Sequence, residues 1–182
     1  MYTLHFDGLF QEIGAFTTPF KAGLLGYGWL ALKDGTQIAR GYGVVARAKD
    51  ATSGAAEYLA LIEGLDALST MNVGQEQVRV AGDAKFVIDQ MRGLASVTSP
   101  VMKPLYRRAT RLAMKFSQIE WVWLPRRYNK SADALTRQAM TRIHYVEGDY
   151  QAAIKAIRSK SRHSNRLLPL VDLRIYRPAD GV

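Results

Sequence analysis

The chain has 182 residues, 48% of them apolar, which suits one domain with its own core and argues against global disorder. It has no cysteine, so disulfides, thiolate zinc sites and cysteine nucleophiles are excluded, and it has no apolar run of ~18 residues that would span a membrane. With 25 Lys and Arg against 16 Asp and Glu, the formal charge of +9 concentrates polyanions at the surface.

In chain order, residues 2–7 alternate, with Tyr2, Leu4 and Phe6 on one face and Thr3, His5 and Asp7 on the other. That pattern predicts a half-buried strand delivering Asp7 at its end. This start also lacks the basic-then-apolar order of a secretory signal, and a cytoplasmic protein is expected. Residues 8–25 read as irregular, punctuated by Gly8, Gly14, Pro19 and Gly23. A second strand is predicted near 26–33, a tight hairpin turn at Asp34 and Gly35, and a third strand near 36–45. The chain thus opens as an antiparallel meander.

The periodicity then becomes helical. Thr52, Ser53 and Gly54 offer caps, with Glu57 in the first turn and Leu59, Ala60 and Ala67 at helical spacing. Residues 77–82 form a short strand, and Asp83 follows at its junction with a short helix over 85–91 closed by Gly93. Pro100 and Pro104 flank the start of another helix, with Leu105, Ala109, Leu112 and Phe116 inward. A strand over 119–124 leads to a last helix that Ser131 can cap, with Asp133 in its first turn. The order βββ-α-β-α-α-β-α makes the later strands parallel, since each is reached by a crossover helix. After His144 the pattern changes to a short helix over 150–158, a basic stretch over 159–166 and an apolar piece over 167–176. The expected division is a domain over 1–143 and a basic appendage over 144–182.

Asp7, Glu57, Asp83 and Asp133 each stand at an element boundary in a distinct phrase: FDG, SGAAEY, GDAKFVI and NKSADAL. Taken singly, each is a turn or helix-start acid favoured by the backbone. Gathered at one sheet edge, carboxylates make a hard-oxygen site for Mg²⁺ or Mn²⁺. On a basic chain that combination points to metal-assisted cleavage of a nucleic acid. Phosphodiester hydrolysis needs an activated water, neutralised phosphate charge and a stabilised leaving oxygen, and two cations about 4 Å apart supply all three.

These phrases, with YGW at 27–29, AEYLALIEGL at 56–65 and WLPRRYNKSADAL at 123–135, resemble the type 1 ribonuclease H family over about residues 1–142. The likeness is to its short bacterial and archaeal-type members, with no hybrid-binding module before Asp7 and no room in 93–116 for a lysine-rich handle helix. It implies an α/β ribonuclease H-like fold, a five-stranded mixed sheet of three antiparallel and two parallel strands with helices on both faces. It implies an endoribonuclease that cuts the RNA strand of RNA–DNA hybrids, with two divalent cations on Asp7, Glu57, Asp83 and Asp133. It also implies a basic group in the loop before the last helix, and Arg126, or else Arg127, takes the place of a histidine there. An arginine cannot serve as a general base at neutral pH, but it binds phosphate. Asn129 orients Asp133 or makes the turn.

Gly8, Ser53, Gly54, Ala84, Arg126, Arg127 and Asn129 are the expected substrate-side positions. Ser53 and Gly54 stand where many members carry asparagines, and Ala84 where many carry serine, so backbone amides are expected to take over there. Arg107, Arg111 and Lys115 form a helical stripe that either tracks a DNA backbone or is merely solvated. Trp121 and Trp123 are expected to be packing residues rather than stacking platforms. A monomer without membrane contact is expected. The competing readings are a ribonuclease H-like module that binds nucleic acid without cutting, and a DNA-directed nuclease of the same fold.

Overall fold

The computed structural model describes residues 1–13, 22–47 and 50–145, with 148, 151, 152, 155 and the residue pair 168–169. Three long strands open the chain: β1 (Tyr2–Glu12), β2 (Gly23–Lys33) and β3 (Thr36–Arg47), paired antiparallel. Asp34 (φ 49°) and Gly35 (φ 84°) both adopt left-handed backbone, the geometry whose twist matches a two-residue hairpin. Then follow α1 (Ser53–Thr70), β4 (Gln77–Gly82), α2 (Lys85–Met91), α3 (Met102–Ala113), β5 (Gln118–Trp123) and α4 (Lys130–Tyr145). β4 runs parallel to both β1 and β5. The five-stranded mixed sheet is therefore as expected, and a two-residue strand, β6 (Leu168–Pro169), extends it to the order β5-β4-β1-β2-β3-β6. Among the described residues no helix is long and apolar enough to cross a membrane.

Alternation along the strands makes two cores. Leu4, Phe6, Leu25, Tyr27 and Trp29 pack under α1 and α3 on one face. Leu24 and Val44 on the other face meet Ala139, Met140 and Ile143 of α4. α1 is buried nearly all round, with Tyr58, Leu61, Ile62, Leu65 and Leu68 fully enclosed. α4 lies unusually close to the sheet. A Cβ on Gly28 would come within 2.7 Å of the Thr136 nitrogen and 2.8 Å of the Ala132 carbonyl oxygen, so only glycine admits the helix there.

Several boundaries differ from expectation. Residues 8–12 and 23–25, expected to be irregular, are paired strand from Gly8↔Tyr27 to Glu12↔Gly23. Their glycines mark close approach by neighbouring elements, not a broken chain. Asp7 accordingly lies mid-strand, yet it is the first β1 residue beyond the parallel ladder, which ends at Phe6↔Gly82. Thr52 takes the α1 cap, its hydroxyl accepting from Ala55 N–H at 3.1 Å, so the helix starts at Ser53 and Glu57 sits one turn in rather than in the first turn. α4 starts at Lys130, which places Ser131 inside the helix rather than at its cap. Of the expected helix over 150–158, residues 151, 152 and 155 are helical. The basic stretch 159–166 and most of 167–176 lie outside the described residues.

Candidate active site

The four acids come from four elements: Asp7 from the middle of β1, Glu57 from α1, Asp83 from the bend after β4, and Asp133 from the first turn of α4. Asp7 is 5% exposed, and its carbonyl accepts from the Thr136 hydroxyl at 3.0 Å. Burial pushes its carboxyl up to about 6; the Thr136 hydroxyl opposes this, and the charges of Asp83 and Asp133 add to it. Glu57 is raised well above the usual carboxylate range, first by burial, then by Asp7 and Asp83. The acids therefore bias one another's ionisation, which requires that they share one region.

Gly8 brings β1 against α1. A Cβ there would sit 2.3 Å from the Glu57 nitrogen, and in its absence the Gly8 N–H bonds the Glu57 carboxylate. Glu57 Oε2 is buried without a hydrogen-bond partner. An orphan carboxylate oxygen inside a protein is costly, and a cation is the natural partner for it.

Asn129 makes the turn, as one of the two expectations had it, its N–H donating to the Arg126 carbonyl at 3.0 Å, and its side chain does more. It is 1% exposed, and its side-chain Nδ2 donates to the Phe6 carbonyl (2.8 Å) and to Asp83 Oδ1 (2.7 Å). Its side chain thus holds Asp83, not Asp133. Its backbone carbonyl accepts from Asp133 N–H at 3.1 Å. One buried amide therefore ties the residue before Asp7, the Asp83 carboxylate and the start of α4 together.

Asp133 is gripped by two arginines. Arg126 Nη2 donates to Oδ1 at 2.5 Å and Arg137 Nε to Oδ2 at 2.6 Å. Arg137 first, then Arg126, hold its carboxyl below the usual range. Arg137 was not anticipated, although its spacing four residues after Asp133 on a helix is a legible pairing signal. Among the described residues no three acidic or histidine side chains form a ready-made metal cage, and Asp83 and Asp133 are engaged by these amide and guanidinium partners. The donor set is nonetheless all hard oxygen, with Glu57 Oε2 free to take a cation.

The substrate-side positions divide. Arg126 and Arg127 occupy a short 3₁₀ turn, Arg126–Tyr128, after β5. Arg126 reaches the acids, whereas the Arg127 guanidinium lies over the Tyr128 ring, 4.8 Å from its centroid. Ser53 is exposed at the start of α1. Gly54 abuts Met102 and Phe86, and Ala84 is buried ahead of α2. Trp121 packs against the core as expected, but Trp123 does not, because it is 45% exposed and its indole N–H donates to the Asp83 carbonyl at 3.1 Å. On α3 and just after it, Arg107, Arg111 and Lys115 are exposed, and Lys115 donates to Ser69 Oγ at 3.3 Å.

Residues 21–139 match the reverse transcriptase-like family model. Over 90 residues the chain is 40% identical to the bifunctional protein Rv2228c of Mycobacterium tuberculosis, covering 50% of this chain and 24% of that protein. Over 114 residues it is 32% identical to Ribonuclease HI of Halobacterium salinarum, covering 62% of this chain and 55% of that one. The chain thus spans about a quarter of the length of the first curated relatives it matches (24%). Among solved structures it is 30% identical to the N-terminal RNase H domain of rv2228c, fused to maltose-binding protein, with 85% of this chain and 96% of that one covered and a TM-score of 0.63. LC11-RNase H1 in complex with an RNA/DNA hybrid shares the fold at 23% identity, 78% and 98% coverage and a TM-score of 0.65.

Proposed function

The chain belongs to the type 1 ribonuclease H family, and from that premise we propose that it is an endoribonuclease hydrolysing the RNA strand of RNA–DNA hybrids. The observation that carries the reading is the gathering of four carboxylates from separate elements: Gly8 of β1 lies against Glu57, Asn129 ties the Asp83 carboxylate to the carbonyl before Asp7, and Arg126 in the same segment grips Asp133, with the charges of Asp83 and Asp133 felt at the buried Asp7 carboxyl. Such mutual repulsion persists in a fold when a cation completes the site.

The family is generally dependent on a divalent metal. Here Asp7, Glu57, Asp83 and Asp133 are the proposed ligands for two Mg²⁺ or Mn²⁺ ions, which would supply water activation and neutralise the leaving oxygen. The chain's own residues prepare this. Glu57 presents an unpartnered oxygen, with its other contact fixed by the Gly8 backbone. Asn129 fixes the Asp83 carboxylate. Arg126 is the proposed phosphate-facing cation. It already sits among the acids, its charge is permanent, and a guanidinium can exchange Asp133 for a phosphate oxygen. Arg127 and Asn129 flank it in the same segment.

The proposed substrate-side positions Gly8, Ser53, Gly54 and the buried Ala84 offer little side chain, so their backbone groups would read the 2′-OH side of the RNA strand. The hybrid in the LC11-RNase H1 complex supports this substrate class. We place the catalytic domain at 1–143 and treat 144–182 as an appendage of a cytoplasmic monomer.

The test is one gel comparing RNA–DNA hybrid, double-stranded RNA and double-stranded DNA, each with Mg²⁺ and with EDTA. The expected result is Mg²⁺-dependent cutting of the hybrid's RNA strand alone. Binding without cutting would make the chain a nucleic-acid-binding module, and cutting of double-stranded DNA would make it a DNA-directed nuclease.

A further inference from the structure

The segment between β5 and α4 carries an arrangement that metal-assisted hydrolysis does not use. Trp123, the last residue of β5, pairs across from Gly82, immediately before Asp83. It is 45% exposed, whereas Trp29 is 1% exposed and Trp121 is packed against the core. Its ring is not free to swing, because the indole N–H is spent on the Asp83 carbonyl at 3.1 Å. Five residues on, Tyr128 is 62% exposed, with the Arg127 guanidinium 4.8 Å from its ring centroid. Two exposed aromatics thus bracket two arginines within six residues, on a chain of net charge +9.

An exposed, orientation-locked indole forgoes the burial that usually places tryptophan in a core. What it gains is an open π face, and the same segment carries a cation, Arg127 stacked on Tyr128; stacking surface and cation together hold single-stranded nucleic acid by base stacking and phosphate attraction. Bases inside a duplex already stack on their neighbours and present no free face. The matching ligand is therefore an unpaired nucleotide.

We propose that Trp123 and Tyr128 stack the bases of unpaired nucleotides, with Arg127 on their phosphates, so that the chain grips a single-stranded extension beside the hybrid. This rests on the nucleic-acid reading of the site but not on cleavage, and the test separates the two.

The full chain in EDTA is titrated with an oligothymidylate, which has little structure of its own, while tryptophan emission is followed. Wild type is expected to be quenched. Trp123→Leu should lose that quenching while keeping the emission of Trp29 and Trp121. Tyr128→Leu, altering an exposed ring that touches none of the four acids, should keep the quenching and weaken affinity about fivefold or more. In wild type, a hybrid with a single-stranded tail should bind several-fold tighter than a blunt one, and Trp123→Leu should erase the difference. Equal quenching in Trp123→Leu, or equal affinity for tailed and blunt hybrids in wild type, overturns the proposal. Blunt-hybrid cleavage with no tail preference would sink this inference alone. Tail binding without any cleavage would sink the nuclease reading and leave this one standing.

Discussion

Asp7 and Glu57 are expensive residues for the metal-free fold. The Asp7 carboxyl titrates at about 6 when folded, against an ordinary 3.8. Between those values the folded state holds a proton that the unfolded chain has lost. The contribution is therefore fully present below about pH 4 and is lost as pH rises through about 6. At about 1.4 kcal/mol per pKa unit the loss is on the order of 3 kcal/mol, and Glu57 adds to it in the same direction. In EDTA the protein should melt lower at about pH 7.5 than at about pH 5. Asp7→Asn should flatten that difference and abolish cleavage together, and a slope unchanged in the variant would remove Asp7 from the cluster. Asp133 opposes only at lower pH, because its arginine partners hold its carboxyl down. Arg126→Ala should lower turnover more than hybrid affinity, since a cation facing developing phosphate charge shows in kcat. Equal kinetics in the variant would return Arg126 to a solvated loop.

At the level of elements, the distance between α4 and the sheet sets where Asp133 stands relative to Asp7. Gly28→Ala would drive a methyl into the backbone of residues 132–136. The expected outcome is a loss of about 1–3 kcal/mol of stability from overpacking, with weaker metal binding by calorimetry as α4 lifts. A fully active, equally stable Gly28→Ala protein would show that the helix has slack. Elements of this kind were only partly legible. The hairpin at Asp34 and Gly35 is written in two adjacent residues, and the four acids announce themselves because each sits in its own phrase. Residues 8–12 misled because Gly8, which admits α1, looks locally like a strand breaker. The shift of Glu57 into the second turn turned on which of Thr52, Ser53 and Gly54 takes the cap, a choice local propensity leaves open. Asn129 bonding Asp83 across 46 residues has no local signal at all.

Across the whole molecule the basic charge and the tail act together. Residues 144–182 contribute Lys155, Arg158, Lys160, Arg162, Arg166, Arg174 and Arg177 and none of the four acids. Counterion release predicts that the proposed appendage raises hybrid affinity in a salt-sensitive way. β6, however, pairs at Val45 and Ala46 on the β3 edge, so part of the appendage is also joined to the domain. Truncation after His144 should leave cleavage chemistry intact, lower hybrid affinity at low salt and flatten its salt dependence. An unchanged salt slope with a large fall in melting temperature would assign the tail to docking instead.

The enclosure of α1 has a consequence for motion. Its amides can exchange with solvent only when the core itself opens, so Glu57, with Gly8 of β1 pressed on it, belongs to the slowest-exchanging part of the chain. The Arg126–Tyr128 turn, exposed and held by few backbone bonds, belongs to the fastest. The two halves of the proposed catalytic centre are then expected to live on different clocks: a floor that keeps its shape, and a rim that can yield to each molecule it meets.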